Sequence, residues 1–143
     1  GKPKCWPLEN FIALAQAQKY FVPTFFLGPQ EEDWKDRIKR AVPGAIFPLQ
    51  QKKHDFDPLL TIALAERMTA SVSNDSGVGH MLALGGKPLV SLFGPTVPEK
   101  FRPMSDRVTI IEAKNYGGRE INLIPYDAVA AALANAAGAD SAS

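Results

Sequence analysis

Between the apolar runs 69–73 and 81–84 lies Asn74-Asp75-Ser76-Gly77-Val78-Gly79-His80, and fourteen residues after His80 comes Gly94-Pro95-Thr96. An apolar run, a tight turn of small residues and a second apolar run predict a strand, a turn and a helix. A helix that opens on Ser-Gly-x-Gly leaves unpaired backbone N–H groups in its first turn and faces the positive end of its dipole outward. Small residues let an anion approach that backbone closely, so the chemistry this pattern can perform is the binding of a phosphate. His80, one turn beyond Ser76, can add a side-chain donor on the same face. A plainer reading stands beside it: Asp75 or Ser76 can serve as the N-cap of a helix with no ligand, and His80 can be a hydrogen-bonded packing residue. These residues alone leave both open.

Other chemistry-bearing patterns fail on spacing. Gly77-Val78-Gly79 begins G-x-G-x-x-G, but the sixth position is Leu82, which removes the close helix–strand packing of a dinucleotide fingerprint. Gly86-Lys87 resembles the end of a P-loop, yet Met81 replaces the first glycine and Pro88 the Mg²⁺-binding hydroxyl residue. Asp75, Ser76 and His80 include triad residue types, but no G-x-S-x-G elbow surrounds Ser76. A serine and a histidine one helical turn apart also lack the separate approach angles of a triad. No Cys/His/Asp cluster has metal-ligand spacing, so neither a metal nor a cofactor is expected. Lys4 beside Trp6-Pro7, and His54 in the charged stretch 52–57, read first as solvated residues. Glu31, Glu32 and Asp33 read first as charges that favour a helix N-terminus.

The elements that must position these residues alternate. Helices are predicted over 8–20, 31–42, 59–68, 76–84 and 125–137, and strands over 21–27, 45–49, 69–73, 89–93 and 107–112. Pro7 and Pro58 suit first helical turns, and Asp57 an N-cap. Gly85-Gly86 suits a helix end, residues 115–119 form a glycine-bearing loop, and 138–143 a frayed tail. Strands alternating with helices imply an α/β fold, a parallel sheet flanked by helices on both faces.

At 143 residues the chain is one domain by size, and 45% hydrophobic with 22% charged residues is ordinary for a soluble globular protein. Sixteen basic and fifteen acidic residues leave a formal charge of +1, which offers no global attraction to nucleic acid or anionic membrane. The single cysteine, Cys5, excludes an internal disulfide framework and suits a reducing compartment. No apolar run approaches the roughly 20 residues that span a bilayer. The opening Gly1-Lys2-Pro3-Lys4 leads into Cys5-Trp6-Pro7 without an apolar h-region, so no signal peptide is expected.

Four stretches taken together resemble the C-terminal domain of the ADP-heptose:lipopolysaccharide heptosyltransferases, glycosyltransferases with two facing Rossmann-like domains (the GT-B fold). They are Lys4-Cys5-Trp6-Pro7-Leu8-Glu9-Asn10-Phe11, Phe26-Leu27-Gly28 with the acidic run after it, Ser73-Asn74-Asp75-Ser76-Gly77 with His80, and Leu92-Phe93-Gly94-Pro95-Thr96 with Pro98. They follow the family's order and spacing across almost the whole chain.

The resemblance implies a Rossmann-like parallel sheet, with residues 1–137 as the nucleotide-sugar-binding domain. Its first strand and the N-terminal acceptor domain are expected to lie outside this sequence. Lys4 matches the lysine that reaches the donor pyrophosphate. Asp75, Ser76, Gly77 and His80 match the turn that holds pyrophosphate and sugar. Glu31 matches the acidic residue near the ribose, with Glu32 the substitute if the loop differs by one. The general base belongs to the other domain, so no catalytic residue is assigned here, and the fragment alone is expected to be inactive. The implied partners are an ADP-sugar donor, ADP-heptose first, and a lipopolysaccharide core acceptor, with no nucleic acid. The implied location is cytoplasmic, or peripheral at the cytoplasmic face of the inner membrane. A non-catalytic nucleotide-sugar-binding or regulatory module is the alternative. Many relatives carry cysteines between the last strand and the last helix; the stretch 112–125 has none.

Overall fold

In the computed structural model, described for residues 5–18, 21–27, 33–48, 58–74, 77–94 and 107–142, the chain divides into two compact units. One comprises residues 1–7 and 59–143, the other residues 8–58. At 58, 77, 78, 80 and 139–142 the description extends to the backbone alone.

The smaller unit is built on α1 (Leu8–Gln16) and α2 (Trp34–Ala41). Leu8 and Ile12, four apart on one face of α1, are buried with Leu27, Ile38, Val42, Ala45 and Phe47 in one apolar cluster. The Phe25 and Phe47 rings lie 5.8 Å apart within it. Gln16 ends α1 and donates its side-chain amide to the Ala41 carbonyl at 3.0 Å, which satisfies an orphan acceptor at the end of α2. The predicted end of α1 at residue 20 is corrected: Gln18 bonds the Ala15 carbonyl at 3.1 Å and turns its side chain back to Leu14 O at 2.8 Å, closing the helix early.

The two strands predicted in this unit are also corrected. Residues 21–27 and 45–48 meet at a single parallel bridge, Thr24 with Ile46. Its two bonds run from Phe25 N to Ile46 O at 2.9 Å and from Ile46 N to Pro23 O at 3.0 Å. Extending the ladder one way requires an N–H on Pro48, and the other way an N–H on Pro23. Neither residue has one, so the ladder stops at one bridge. Nor is the first segment buried throughout: Phe21 is 42% and Val22 66% exposed, while Leu27 is buried in the cluster and Phe25 packs against it half-buried.

The larger unit holds α3 (Pro58–Ala65) from Leu59 onward, β1 (Ser71–Asn74), α4 (Gly77–Leu84), β2 (Leu89–Phe93), β3 (Val108–Glu112) and α5 (Tyr126–Ala142). The strands form a parallel sheet in the order β1-β2-β3, with Ser73 opposite Ser91 and Ser91 opposite Ile110. Every residue of β2 is buried, as its uninterrupted run Leu-Val-Ser-Leu-Phe requires of a strand covered on both faces. α4 packs on β1, and α5 packs on β2 with Val129 fully buried. α5 runs to Ala142, past the predicted end near residue 137: Gly138 is followed by further helix-compatible small residues and lies open on the surface. Between β3 and α5 lie two short 3₁₀ turns, Ala113–Tyr116 and Ile121–Leu123; the first takes up the start of the predicted glycine-bearing loop, Gly117 at φ 98° ends it, and residues 117–119 remain a loop.

Candidate functional site

β1 delivers the chain to the turn singled out in the sequence. Its last residue is Asn74, and α4 begins at Gly77, so two residues separate strand from helix. The first N–H groups of α4 have no partner within the helix, and its dipole adds partial positive charge at that end. In parallel sheets ligands bind outside the carboxyl ends of the strands, which is where this helix opens.

The glycines at the two ends of α4 have different physical duties. Gly79 is buried against β1, where an added Cβ would stand 2.7 Å from Ser73 Oγ and 3.1 Å from the Asn74 carbonyl oxygen. Close helix–strand packing is therefore present, supplied by Gly79 where the dinucleotide fingerprint would place it at the position of Leu82. At the other end of α4 an added Cβ on Gly85 would stand 2.6 Å from Ala65 Cβ, so glycines seat this helix against both β1 and α3. Gly86, at φ 75°, then terminates it.

A second segment meets the turn. The backbone N–H of Trp6 donates to Asn74 Oδ1 at 2.9 Å across 68 positions of sequence. The Trp6 indole is 1% exposed, donates Nε1–H to Ile124 O at 2.8 Å, and lies parallel to the Tyr126 ring at 6.4 Å. The stretch Cys5-Trp6-Pro7 is thereby joined to the end of β1. The buried hydroxyls of Ser73 in β1 and Ser91 in β2 have no hydrogen-bond partner among the described residues.

Of the sequence-derived site residues, Gly77 opens α4 and His80 lies within its first turn. Lys4, Glu31, Glu32, Asp75 and Ser76 lie outside the described residues, as do His54, Pro95, Thr96 and Pro98. What the structure brings together is Trp6, two residues after Lys4, and Asn74, directly before Asp75. Asn74 carried no assigned role in the sequence, because no local pattern announces a contact 68 residues away.

In the smaller unit a cleft of about 380 Å³ is bordered by Phe21, Val22, Pro23, Pro43, Gln16 and Gln18, and among the described residues none of those lining it is charged. Among the described residues it offers no cationic group of the kind a phosphate requires. Outside that cleft Arg37 Nη2 donates to Glu9 Oε1. The Glu9 carboxyl is held below its ordinary value of 4.5, first by a backbone hydrogen bond at the start of α1 and then by Arg37.

Residues 1–122 match the sequence profile of Glycosyltransferase family 9 (heptosyltransferase). The chain belongs to that family. Among curated proteins it is similar to Lipooligosaccharide heptosyltransferase 2 of Haemophilus influenzae, 34% identical over 118 residues, or 78% of this chain and 33% of the relative. Among solved structures it resembles E. coli ADP-heptose LPS heptosyltransferase II, with TM-score 0.78 and 22% identity over 99% of this chain and 44% of the other. E. coli heptosyltransferase WaaC, solved with ADP, superposes with TM-score 0.73 and 18% identity over 100% of this chain and 43% of that one. The chain thus spans about a third of the curated relative's length and under half of either solved chain. The α/β class and the parallel sheet flanked by helices agree with the sequence-based expectation, and the structural relatives are heptosyltransferases of the GT-B fold.

Proposed function

We propose that this chain is the donor-binding half of a glycosyltransferase that moves heptose, or a related sugar, from an ADP-sugar to a lipopolysaccharide core. The observation that carries this reading is α4 opening on Gly77, three residues beyond the carboxyl end of β1, in a chain of the heptosyltransferase family. A relative with the same fold was solved with ADP, which makes a nucleoside diphosphate the ligand to expect.

The chemistry is displacement at the anomeric carbon with ADP as leaving group. Negative charge grows on the diphosphate as the glycosidic bond to it breaks. The N–H groups at the start of α4 and the Lys4 ammonium offset that charge, and fixed dipoles do so without reorganising at the moment of reaction. Ser76 and His80 add donors, Asp75 bonds sugar hydroxyls or N–H groups of its own turn, and Glu31, or Glu32, bonds the ribose. The base that deprotonates the acceptor hydroxyl is supplied by the other half of the enzyme. The acceptor is a membrane glycolipid, so the proposed place of action is the cytoplasm or the cytoplasmic face of the inner membrane. Among the described residues no helix is long and apolar enough to cross a membrane.

The test is transfer by the full-length protein from ADP-heptose to a panel of heptose-deficient lipopolysaccharide cores. Sugar transfer with release of ADP is expected. A folded protein that binds ADP-heptose and turns over none of the panel would instead be a nucleotide-sugar-binding module.

A further inference from the structure

We propose that Asn74 is a positioning residue of the donor site, whose carboxamide holds the segment bearing Lys4 beside the turn at the start of α4. The inference rests on the donor-site reading above but concerns a residue that neither binds nor reacts with the sugar. Asn74 makes two connections at once. Its side-chain Oδ1 accepts the Trp6 N–H at 2.9 Å, and its carbonyl oxygen lies 3.1 Å from where a Cβ on Gly79 would stand. One residue therefore adjoins both α4 and the Trp6 segment.

Trp6 is gripped from two sides. Its indole is fixed by the Ile124 carbonyl and the Tyr126 ring, while its backbone is fixed by Asn74. The next residue, Pro7, restricts Trp6 to extended conformations and so limits the directions from which the preceding chain arrives. Lys4 is two residues upstream of Trp6, and Asp75 and Ser76 directly follow Asn74. Two residues of extended chain reach no further than about 7 Å, so anchoring Trp6 to Asn74 keeps the lysine's segment within reach of the turn.

The residue type fits the task. An amide oxygen accepts a hydrogen bond without adding negative charge beside a turn that must receive a diphosphate, whereas an aspartate here would repel it. A serine hydroxyl is one bond too short to span the same gap. The arrangement predicts that the contribution of Asn74 to donor affinity passes through Lys4.

The experiment is a double-mutant cycle in the full-length protein, with ADP binding measured by calorimetry and Trp6 amide exchange measured by NMR. Lys4→Ala is expected to weaken ADP binding by about tenfold or more. Asn74→Ala should weaken it by a large part of that factor and accelerate exchange at the Trp6 amide. The double variant should be no weaker than Lys4→Ala within about twofold. Asn74→Ser, which keeps polarity but loses reach, should behave as Asn74→Ala does and serves if the alanine variant folds poorly. Independent losses that multiply in the double variant, or wild-type ADP affinity in folded Asn74→Ala and Asn74→Ser proteins, overturn the proposal and leave the donor site standing. Unchanged ADP affinity in Lys4→Ala overturns the donor-site reading and the proposal with it.

Discussion

Gly79→Ala separates the packing of α4 from its intrinsic helicity. Alanine is favoured over glycine inside a helix by about 1 kcal/mol, so propensity alone makes this substitution stabilising. The seat against β1 opposes it. The new Cβ would meet Ser73 Oγ at 2.7 Å and the Asn74 carbonyl oxygen at 3.1 Å. The hydroxyl can rotate, but the carbonyl belongs to β1 and moves only with the strand. Overpacking of this kind costs about 1–3 kcal/mol, which leaves a net destabilisation of roughly 0–2 kcal/mol after the propensity gain. Ser73→Ala removes the nearer obstacle together with a buried hydroxyl that has no partner among the described residues, and should itself be neutral or stabilising. The double variant should then recover part of the loss, with a coupling of at least about 0.5 kcal/mol. Urea unfolding followed by circular dichroism resolves this, since 1 kcal/mol shifts the midpoint by about 0.5 M at an m-value of about 2 kcal/mol/M. A Gly79→Ala midpoint raised by the full propensity gain, or strict additivity with Ser73→Ala, would refute the close seating of α4 on β1.

Gly85→Ala, whose Cβ would stand 2.6 Å from Ala65 Cβ and 3.0 Å from its carbonyl carbon, should lose about 1–3 kcal/mol in the same unfolding assay. Gly86→Ala meets open space but carries φ 75°, so it should lose about 1 kcal/mol through backbone strain alone. Trp6→Phe keeps an aromatic ring beside Tyr126 but leaves the Ile124 carbonyl without its 2.8 Å donor, and should cost about 1–3 kcal/mol. For Glu9 the folded carboxyl titrates below its ordinary 4.5, so its contribution to stability is present above pH 4.5 and is lost as pH falls through the lowered value. An NMR titration of Arg37→Ala should move the Glu9 midpoint upward yet leave it below 4.5, because the backbone hydrogen bond is the larger cause.

The elements that were legible in the sequence are those whose own residues decide them. β2 is bounded by Pro88 and Gly94 around a run apolar but for Ser91, and its observed limits coincide with the predicted ones. α4 follows from the change of pattern after Asn74 and from the paired glycines at its end. Residues 21–27 and 45–49 looked like strands by composition, but their pairing is limited by which residues lack N–H groups opposite one another. That depends on register, and register is a property of the assembled pair. The turn at Asp75-Ser76-Gly77 was visible as a place where an anion could sit, and Gly77 and His80 do fall in the first turn of a helix. The roles of Gly79 and Asn74 were not visible, because each is defined by an atom on another element: Ser73 Oγ for one and the Trp6 amide for the other.

The central claim, that a diphosphate binds where β1 gives way to α4, is tested most directly by titrating ADP into the ¹⁵N-labelled chain and mapping amide shifts. The mapping needs only weak binding, which is all that half of an interdomain cleft is expected to provide. The account predicts the largest shifts at Gly77, Val78, Gly79 and His80, with a smaller one at Trp6, and their loss in Gly77→Val. Shifts confined instead to the cleft around Phe21, Val22 and Gly44, with the start of α4 unmoved at saturation, would contradict it.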